Sequence, residues 1–493
     1  NDTSASRTLT PAETNLQFTP DLIWQKSRNN TNWHGIHDSV RGGGNTLYPN
    51  DSSQNTSNNQ YGYISSFIHR GFVWTAGSTN NSDGNQTNSD FVSWCWKAGG
   101  NRNTFNVDDV GYSTAAAAGM SAGALNSNSY DNSQRWRSYM SNSTGAGNLF
   151  DGDLSTFYGP DGNTQTFIPD TAIKVNRKLE IYYKSGSASR NASVNNGSTI
   201  ATGIQSNGKW VDLNFTGMLR EISVTNGWNI SAIRVDGKIL VDDDITPENR
   251  PLIAPSGASA GTKQGFSIIT YAGTNDARAT IPTGLNEETD FAIVKATNQA
   301  YNWYVYHSSL SPANRMKLDT TDAQASDNNG FIYRDGPGLL GLNRGSSLGN
   351  NVNADTITYV AYCWHNVPGL QKFGSFEGNG NADGPFVELG FRPALILLRN
   401  IDNSGTNYDW CIYDNARSKY NPNDKFLCPN LNENENDRGD GNSDNARYVD
   451  FLSNGFKIRN TSSPLNLNSH TIIYAAWAEA PSINLYGGQS NAR

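Results

Sequence analysis

Charge, cysteine, histidine and long apolar runs are all scarce in this chain of 493 residues, and each scarcity excludes something. Only 17% of residues are charged and the formal net charge is −8. With no basic stripe, the chain has no electrostatic footprint for nucleic acid, which needs clustered Lys and Arg. No run reaches the roughly 18 apolar residues of a helical membrane span. The four cysteines (Cys95, Cys363, Cys411, Cys428) show no C-x-x-C spacing and read as small buried hydrophobes. Six histidines form no zinc-type cluster, and His34 and His37 are expected on opposite faces of a strand, exposed or in a turn. G-x-S-x-G, a P-loop and a G-x-G-x-x-G after a strand are all missing, so no enzyme is expected. No secretory leader is visible. Because residue 1 is not Met, an upstream segment or processing is expected.

Apolar residues (36%), aromatics (11%) and 48 glycines are present instead, with abundant Asn and Ser. That mixture supplies cores and many turns, since Gly, Asn and Asp tolerate φ > 0. Helical periodicity is nearly absent. An all-β chain of about three to five domains is expected, at roughly 100–200 residues each. N-x-S/T sequons at Asn142, Asn191 and Asn229 follow from the Asn content.

One pattern recurs three times. The opening strings are "DLIWQKSR" (Asp21–Arg28), "DFAIVKATNQ" (Asp290–Gln299) and "FRPALILLRN" (Phe391–Asn400). The closing strings are "FVSWCWKAGG" (Phe91–Gly100), "YVAYCWHN" (Tyr359–Asn366) and "YAAWAEAP" (Tyr474–Pro481). Asp38 and Arg41 of the first repeat correspond to Asp414 and Arg417 of the third, whereas the second repeat lacks both. The recurrence of the fold accounts for that pair as an intramodule clamp. Trp96, Trp364 and Trp477 recur in the closing strands, with Trp94, Tyr362 and, less exactly aligned, Tyr474 as their partners at two residues' spacing, which suits core packing. Repeats two and three each begin with a further strand, in "GFSIITYAGTN" and "GLQKFGSFEGNG"; repeat one has none. That strand is expected from upstream or from a neighbouring chain.

The boundaries read as repeat one over residues 1–110, a linker over 111–130, a different module over 131–247, a linker over 248–260, repeat two over 261–368 and repeat three over 369–493. In the inserted module "KLEIYYKSG", "KWVDLNF" and "AIRVDGKILVDDD" alternate apolar and polar residues as an antiparallel sandwich does. The fold class is therefore all-β, with tandem antiparallel β-sandwich modules. Among aromatics near loops, Trp136, Tyr158, Trp210 and Trp228 are the candidates for stacking on a sugar ring.

The ordered set "FTPDLIWQKSR … DSVRG … WCWKAGG", "YVAYCWHNVPGLQKFG" and "YAAWAEAP … NLYGGQSNAR" resembles the repeat domain of tail-fibre and appendage proteins of tailed phages of marine bacteria, cyanophages in particular. The likeness covers about three quarters of the chain. It implies jelly-roll or lectin-like modules on the surface of a virion, contacts with other virion proteins, and a homotrimer by analogy with phage fibres. The expected function is attachment to host surface polysaccharide through many weak contacts, whose linkage can raise avidity by roughly 10²–10⁴. Alternatives are a decoration or connector protein, a polysaccharide-depolymerising tailspike, and a bacterial secreted adhesin. The inserted module is similar to discoidin-type carbohydrate-binding modules, in which Ca²⁺ often orders a loop. That likeness makes Asp151, Asp153, Asp242 and Asp244 the candidate Ca²⁺ ligands, a cation needing six to eight oxygens. No other cofactor is expected.

Overall fold

A computed structural model of the chain describes residues 6–9, 16–115, 117–120, 125–126, 136–141, 145–159, 164–176, 178–185, 190–197, 200–202, 208–224, 229–242, 253–275, 278–311, 314–326, 332–334, 338–343, 352–436, 447–461 and 464–479. No α-helix occurs among them; two 3₁₀ turns, Trp136–Tyr139 and Ala146–Leu149, accompany the strands.

Each repeat is built from an inner and an outer sheet. The inner sheet centres on an opening strand, Leu22–Ser27, Phe291–Ala296 or Pro393–Asn400. The closing strand, Phe91–Trp96, Thr358–Trp364 or Thr471–Ala478, pairs antiparallel on one side of it. A third strand, Gly35–Asp38, Tyr304–His307 or Cys411–Asp414, pairs on the other. Repeats two and three add a lead strand beyond the closing strand, Phe266–Ala272 and Gln371–Glu377. The outer sheets have three strands each, among them the equivalent Gly71–Thr75 and Gly455–Ile458.

The opening strands are buried on both faces, and in repeats two and three they read as nearly unbroken apolar runs. Leu22 and Trp24, Phe291 and Ile293, and Leu395 and Leu397 face one shared core. The residues between them, Ile23, Ala292 and Ile396, face the core of their own module. Period two thus divides each strand between two cores rather than between core and water.

The shared core makes the three repeats one body around a pseudo-threefold axis. Trp96, Trp364 and Trp477 meet there in edge contact, with ring centroids 6.3, 5.4 and 6.1 Å apart. A void of about 20 Å³ on the axis is walled only by apolar side chains such as Ile36, Phe291 and Leu397, which leaves no polar partner to hold a water or ligand.

Three related seams hold the ring. Just before each third strand a ring N–H reaches a carbonyl of the neighbouring repeat: Trp303 Nε1 to Tyr48 O (2.9 Å), Trp410 Nε1 to Lys317 O (2.8 Å) and His34 Nε2 to Cys428 O (3.1 Å). A backbone N–H answers in the opposite sense, from Asn55 to Thr297 O (2.9 Å), Gln324 to Ile401 O (2.9 Å) and Glu435 to Arg28 O (2.8 Å). Buried cations on two opening strands also cap neighbouring carbonyls, Lys295 Nζ on Ser52 O (2.8 Å) and Arg399 Nη2 on Asp322 O (2.7 Å). The three repeats are therefore closed into a ring. His34 and His37, expected in exposed or turn positions, are both fully buried, His34 because the seam needs its ring N–H.

The inserted module packs a five-stranded sheet, including Leu179–Ser185, Lys209–Asp212 and Asn229–Val235, over a four-stranded one around its own core. Strands Phe105–Val107 and Val110–Tyr112, expected at the end of repeat one and the start of the linker, instead extend the inner sheet of repeat two through Pro255–Gly261, most of which lies in the expected second linker.

Candidate functional site

Alternation along three strands of the inserted module decides which side chains leave its core. Leu179, Ile181, Val211, Leu213, Ile233 and Val235 point inward. Glu180, Tyr182, Trp210, Asp212 and Arg234 share the other face, with Glu180 opposite both Asp212 and Arg234, and Tyr182 opposite Trp210. On that face Arg234 Nε pairs with Glu180 Oε2 at 2.8 Å, both side chains buried. The Arg234 guanidinium lies 4.0 Å from the centre of the Trp210 ring, and Tyr182 meets the same ring edge-on at 5.3 Å.

This face looks onto repeat two across a groove of about 590 Å³, lined by Lys178, Glu180, Trp210 and Asp212 on one side and by Lys263, Glu287, Glu288, Asp290, Arg334 and His365 on the other. Lys178 spans it, with Nζ 3.5 Å from both Asp212 and Glu287. Arg334 holds Glu288 at 3.2 Å and also pairs with Asp290. The other Asp290 oxygen accepts the Asn366 N–H at 2.7 Å. His365 is buried with Nδ1 2.8 Å from Asn366 O, and burial holds its pKa below the ordinary value. The groove thus combines a half-buried indole with fixed carboxylates and cations of both signs. Such a surface suits a neutral, hydroxyl-rich ligand: its hydroxyls both donate and accept, and the indole supplies an apolar face.

Among the aromatic candidates that lie within the described residues, only Trp210 reaches this groove. Trp136 and Tyr158 are fully buried in the core of the inserted sandwich and offer no ring face to a sugar; Tyr158 also bridges to Ile230. Trp228 lies outside the described residues.

The acidic candidates within the described residues, Asp151, Asp153 and Asp242, each make local bonds. Asp151 accepts the Asp153 N–H (2.9 Å) and the Thr156 hydroxyl (2.6 Å), and Asp153 accepts the Ser155 N–H (2.7 Å). Asp242 is buried against Arg137, accepting its backbone N–H at 3.1 Å and pairing with its guanidinium. Asp244 lies outside the described residues, among which no group of three or more metal-type ligands converges.

Asp38–Arg41 and Asp414–Arg417 form intramodule clamps, Nε to Oδ2 at 2.5 Å in both. Each carboxylate also takes a donor from the neighbouring repeat, the Tyr362 hydroxyl on Asp38 (2.7 Å) and Trp94 Nε1 on Asp414 (2.9 Å). Tyr474 does not match Trp94 and Tyr362, for the register places Ala475 two residues before Trp477.

Sequence reasoning passed over Lys178, Glu180, Asp212, Glu287, Glu288 and Arg334. Only the alternation in "KLEIYYK" and "KWVDLNF" signalled that Glu180, Trp210 and Asp212 share a face; nothing local signalled that repeat two would stand opposite.

A family model described as Domain of unknown function (DUF7483) matches residues 3–133 and 251–481, the two stretches that flank the inserted sandwich. No curated protein matches the chain. Among solved structures, the chain is similar to the arabinofuranosyltransferase AftD of mycobacteria at 9% identity and a TM-score of 0.16, covering 67% of this chain and 32% of that one, so it spans about a third of that protein's length. It is also similar to a structure described as the triple jelly roll fold and turret assembly in an archaeal virus (10% identity, TM-score 0.12, 65% and 84% covered). A third is the atomic structure of Sulfolobus turreted icosahedral virus (11% identity, TM-score 0.12, 65% and 85% covered). At these TM-scores none of the three carries an argument about fold or function.

Proposed function

The chain belongs to the DUF7483 family, and from its site geometry we propose that it is a binding protein of a phage appendage, a tail fibre or similar structure, that attaches to host surface polysaccharide. The observation that carries the reading is the groove between the inserted sandwich and repeat two, where Trp210 stands among Lys178, Glu287, Glu288 and Arg334. An indole that can meet the apolar face of a pyranose, with charged groups already fixed by their own pairs, orders little on binding. The resemblance of the repeat strings to phage appendage proteins supports the virion setting.

Binding rather than hydrolysis is favoured because the groove's carboxylates face cations: Glu180 meets Arg234, Asp212 and Glu287 meet Lys178, and Glu288 and Asp290 meet Arg334. A glycosidase needs one carboxyl kept protonated at working pH, and a neighbouring cation opposes that.

The test is retention of the purified chain on host cells, together with the length of host polysaccharide after incubation. Saturable retention with intact polymer is the expected outcome, and Trp210→Ala should weaken it by about tenfold or more, the scale of a buried aromatic anchor. Shortened polymer would make the protein a hydrolase. Retention unchanged by Trp210→Ala would remove the groove as the site.

A further inference from the structure

Among the described residues repeat one has no lead strand, and both the order of the ring and the sequence after Trp477 point to what supplies it. In repeats two and three the closing strand is paired on both edges, with a seven-residue lead strand on the outer one. In repeat one Phe91–Trp96 pairs only with the opening strand among the described residues. Its side chains show the difference: Phe91, Val92, Cys95 and Trp96 are only half-buried, whereas six of the seven residues of Thr358–Trp364 are buried. Trp364 stacks on Phe266 of its lead strand at 4.5 Å and Trp477 meets Phe373 of its own at 5.8 Å. An apolar edge of this length recruits a partner strand.

The pseudo-threefold order says where such a strand would come from. The chain leaves repeat two at Trp364, turns where Val367 bridges to Gln371, and becomes the lead strand of repeat three seven residues after the tryptophan. The rotation that carries repeat two onto repeat three carries repeat three onto repeat one, as the three seams require. Chain leaving Trp477, if it followed the same rotation, would reach the outer edge of Phe91–Trp96 in repeat one.

That stretch repeats the lead-strand pattern. Pro368, Leu370, Phe373 and Gly374 after Trp364 are matched, at the same spacings, by Pro481, Ile483, Tyr486 and Gly487 after Trp477. Residues 480–493 lie outside the described residues. The register of repeat three, transferred, would set Tyr486 opposite Trp94 on the central-core face and Leu485 opposite Cys95. Leu485 would then reach the small core of Ile23, Ile64, Phe72 and Trp74, against which Cys95 packs.

We propose that residues 484–490 form the lead strand of repeat one in the same molecule, antiparallel to Phe91–Trp96, so that the last repeat closes the ring onto the first. The surface is thus an internal docking site for the chain's own tail, with a strand from a second copy or from sequence preceding residue 1 as the competing occupants.

Amide hydrogen exchange over Phe91–Trp96 tests this in four samples: the full chain, a chain ending at Glu479, the full chain carrying Tyr486→Asp, and the shortened chain with a synthetic peptide of residues 480–493. Protection in a monomeric full chain is expected. Exchange should be at least about tenfold faster in the shortened chain, intermediate with Tyr486→Asp, and restored by the peptide. Exchange unaffected by removing the tail, whether fast or slow in both chains, would overturn the proposal: the edge would be open or held by another segment. Protection that disappears on dilution, together with a dimer's mass, would assign the strand to a second copy and would equally overturn it. None of these readouts depends on polysaccharide, so failure here and failure of the binding reading are separable.

Discussion

Two seams of the ring end in a carboxylate, and the third ends in a histidine. Where repeat two meets repeat one, Asp38 accepts from the Tyr362 hydroxyl; where repeat one meets repeat three, Asp414 accepts from Trp94 Nε1. At the remaining seam His307 stands in the same place and the bond runs the other way. Its Nδ1 accepts the Ser309 N–H at 3.1 Å, which leaves Nε2 to donate to Tyr474 O at 3.0 Å. The reversal has a local cause: the closing strand of repeat three offers Ala475, with no side-chain donor, where repeats one and two offer Trp94 and Tyr362. A buried carboxylate needs a counterion, and Arg41 or Arg417 stands three residues on. A neutral imidazole needs none, and Leu310 occupies that place. Backbone geometry is thus held constant at all three seams while the chemistry that satisfies it is not.

The largest break in this comparison should come from removing a carboxylate. Asp38→Ala leaves the buried Arg41 guanidinium without a carboxylate and should cost about 3–5 kcal/mol in urea unfolding. Asp414→Ala should cost less, because Glu435 still faces Arg417 at 3.2 Å. Equal losses would mean that Glu435 contributes nothing.

Acid should act next, and through the histidines. Burial pushes His307 down to about 4 and His37 to about 3, and holds His34 well below its ordinary value. A depressed histidine contributes stability that is fully present above the unfolded value near 6.5 and is lost as pH falls toward the folded one. Between pH 7 and 5 His307 and His37 should therefore each remove about 2 kcal/mol, and His34 should act in the same direction. Asp83, which burial raises to about 6, works in the opposite sense over the lower part of that range and offsets a portion. Replacing His307 with Gln should remove its share of the pH dependence; an unchanged slope would show that this seam does not titrate.

Single seam donors should have the smallest effect. Trp410→Phe deletes one N–H to a neighbouring carbonyl and should cost about 1 kcal/mol, while Trp303→Phe should cost somewhat more because its ring N–H serves both Tyr48 O and Asp51 O. Equal values, compared by the urea midpoint at constant slope, would reduce the second acceptor to a bystander.

Much of the architecture was legible along the chain. Turn-rich composition and period-two strings indicated an all-β fold. The repeated strings aligned the opening and closing strands, and the Asp–Arg correspondence located both clamps. Ring closure was not legible. The residues that make it, His34, Trp303 and Trp410, occupy one structural position with two unlike side chains, joined only by possession of a ring N–H. Nor could local sequence distinguish Trp136 and Tyr158, which the inserted sandwich buries, from Trp210, which lines the groove; all three lie near turns, and only the fold decides which side of the sheet a turn covers.

Sequence alone determined many of the elements: which repeated segments become strands, how their side chains alternate, which repeat shows no lead string before its opening strand, and where a charge is matched by a counterion three residues away. These follow from steric and pairing rules that act over a few residues. Tertiary structure alone decided that the opening strands serve two cores, that three tryptophans meet on an axis, and that the inserted sandwich faces repeat two across a charged groove. Those outcomes depend on which surfaces exclude water together, and contacts between residues hundreds of positions apart leave no periodic trace in the chain.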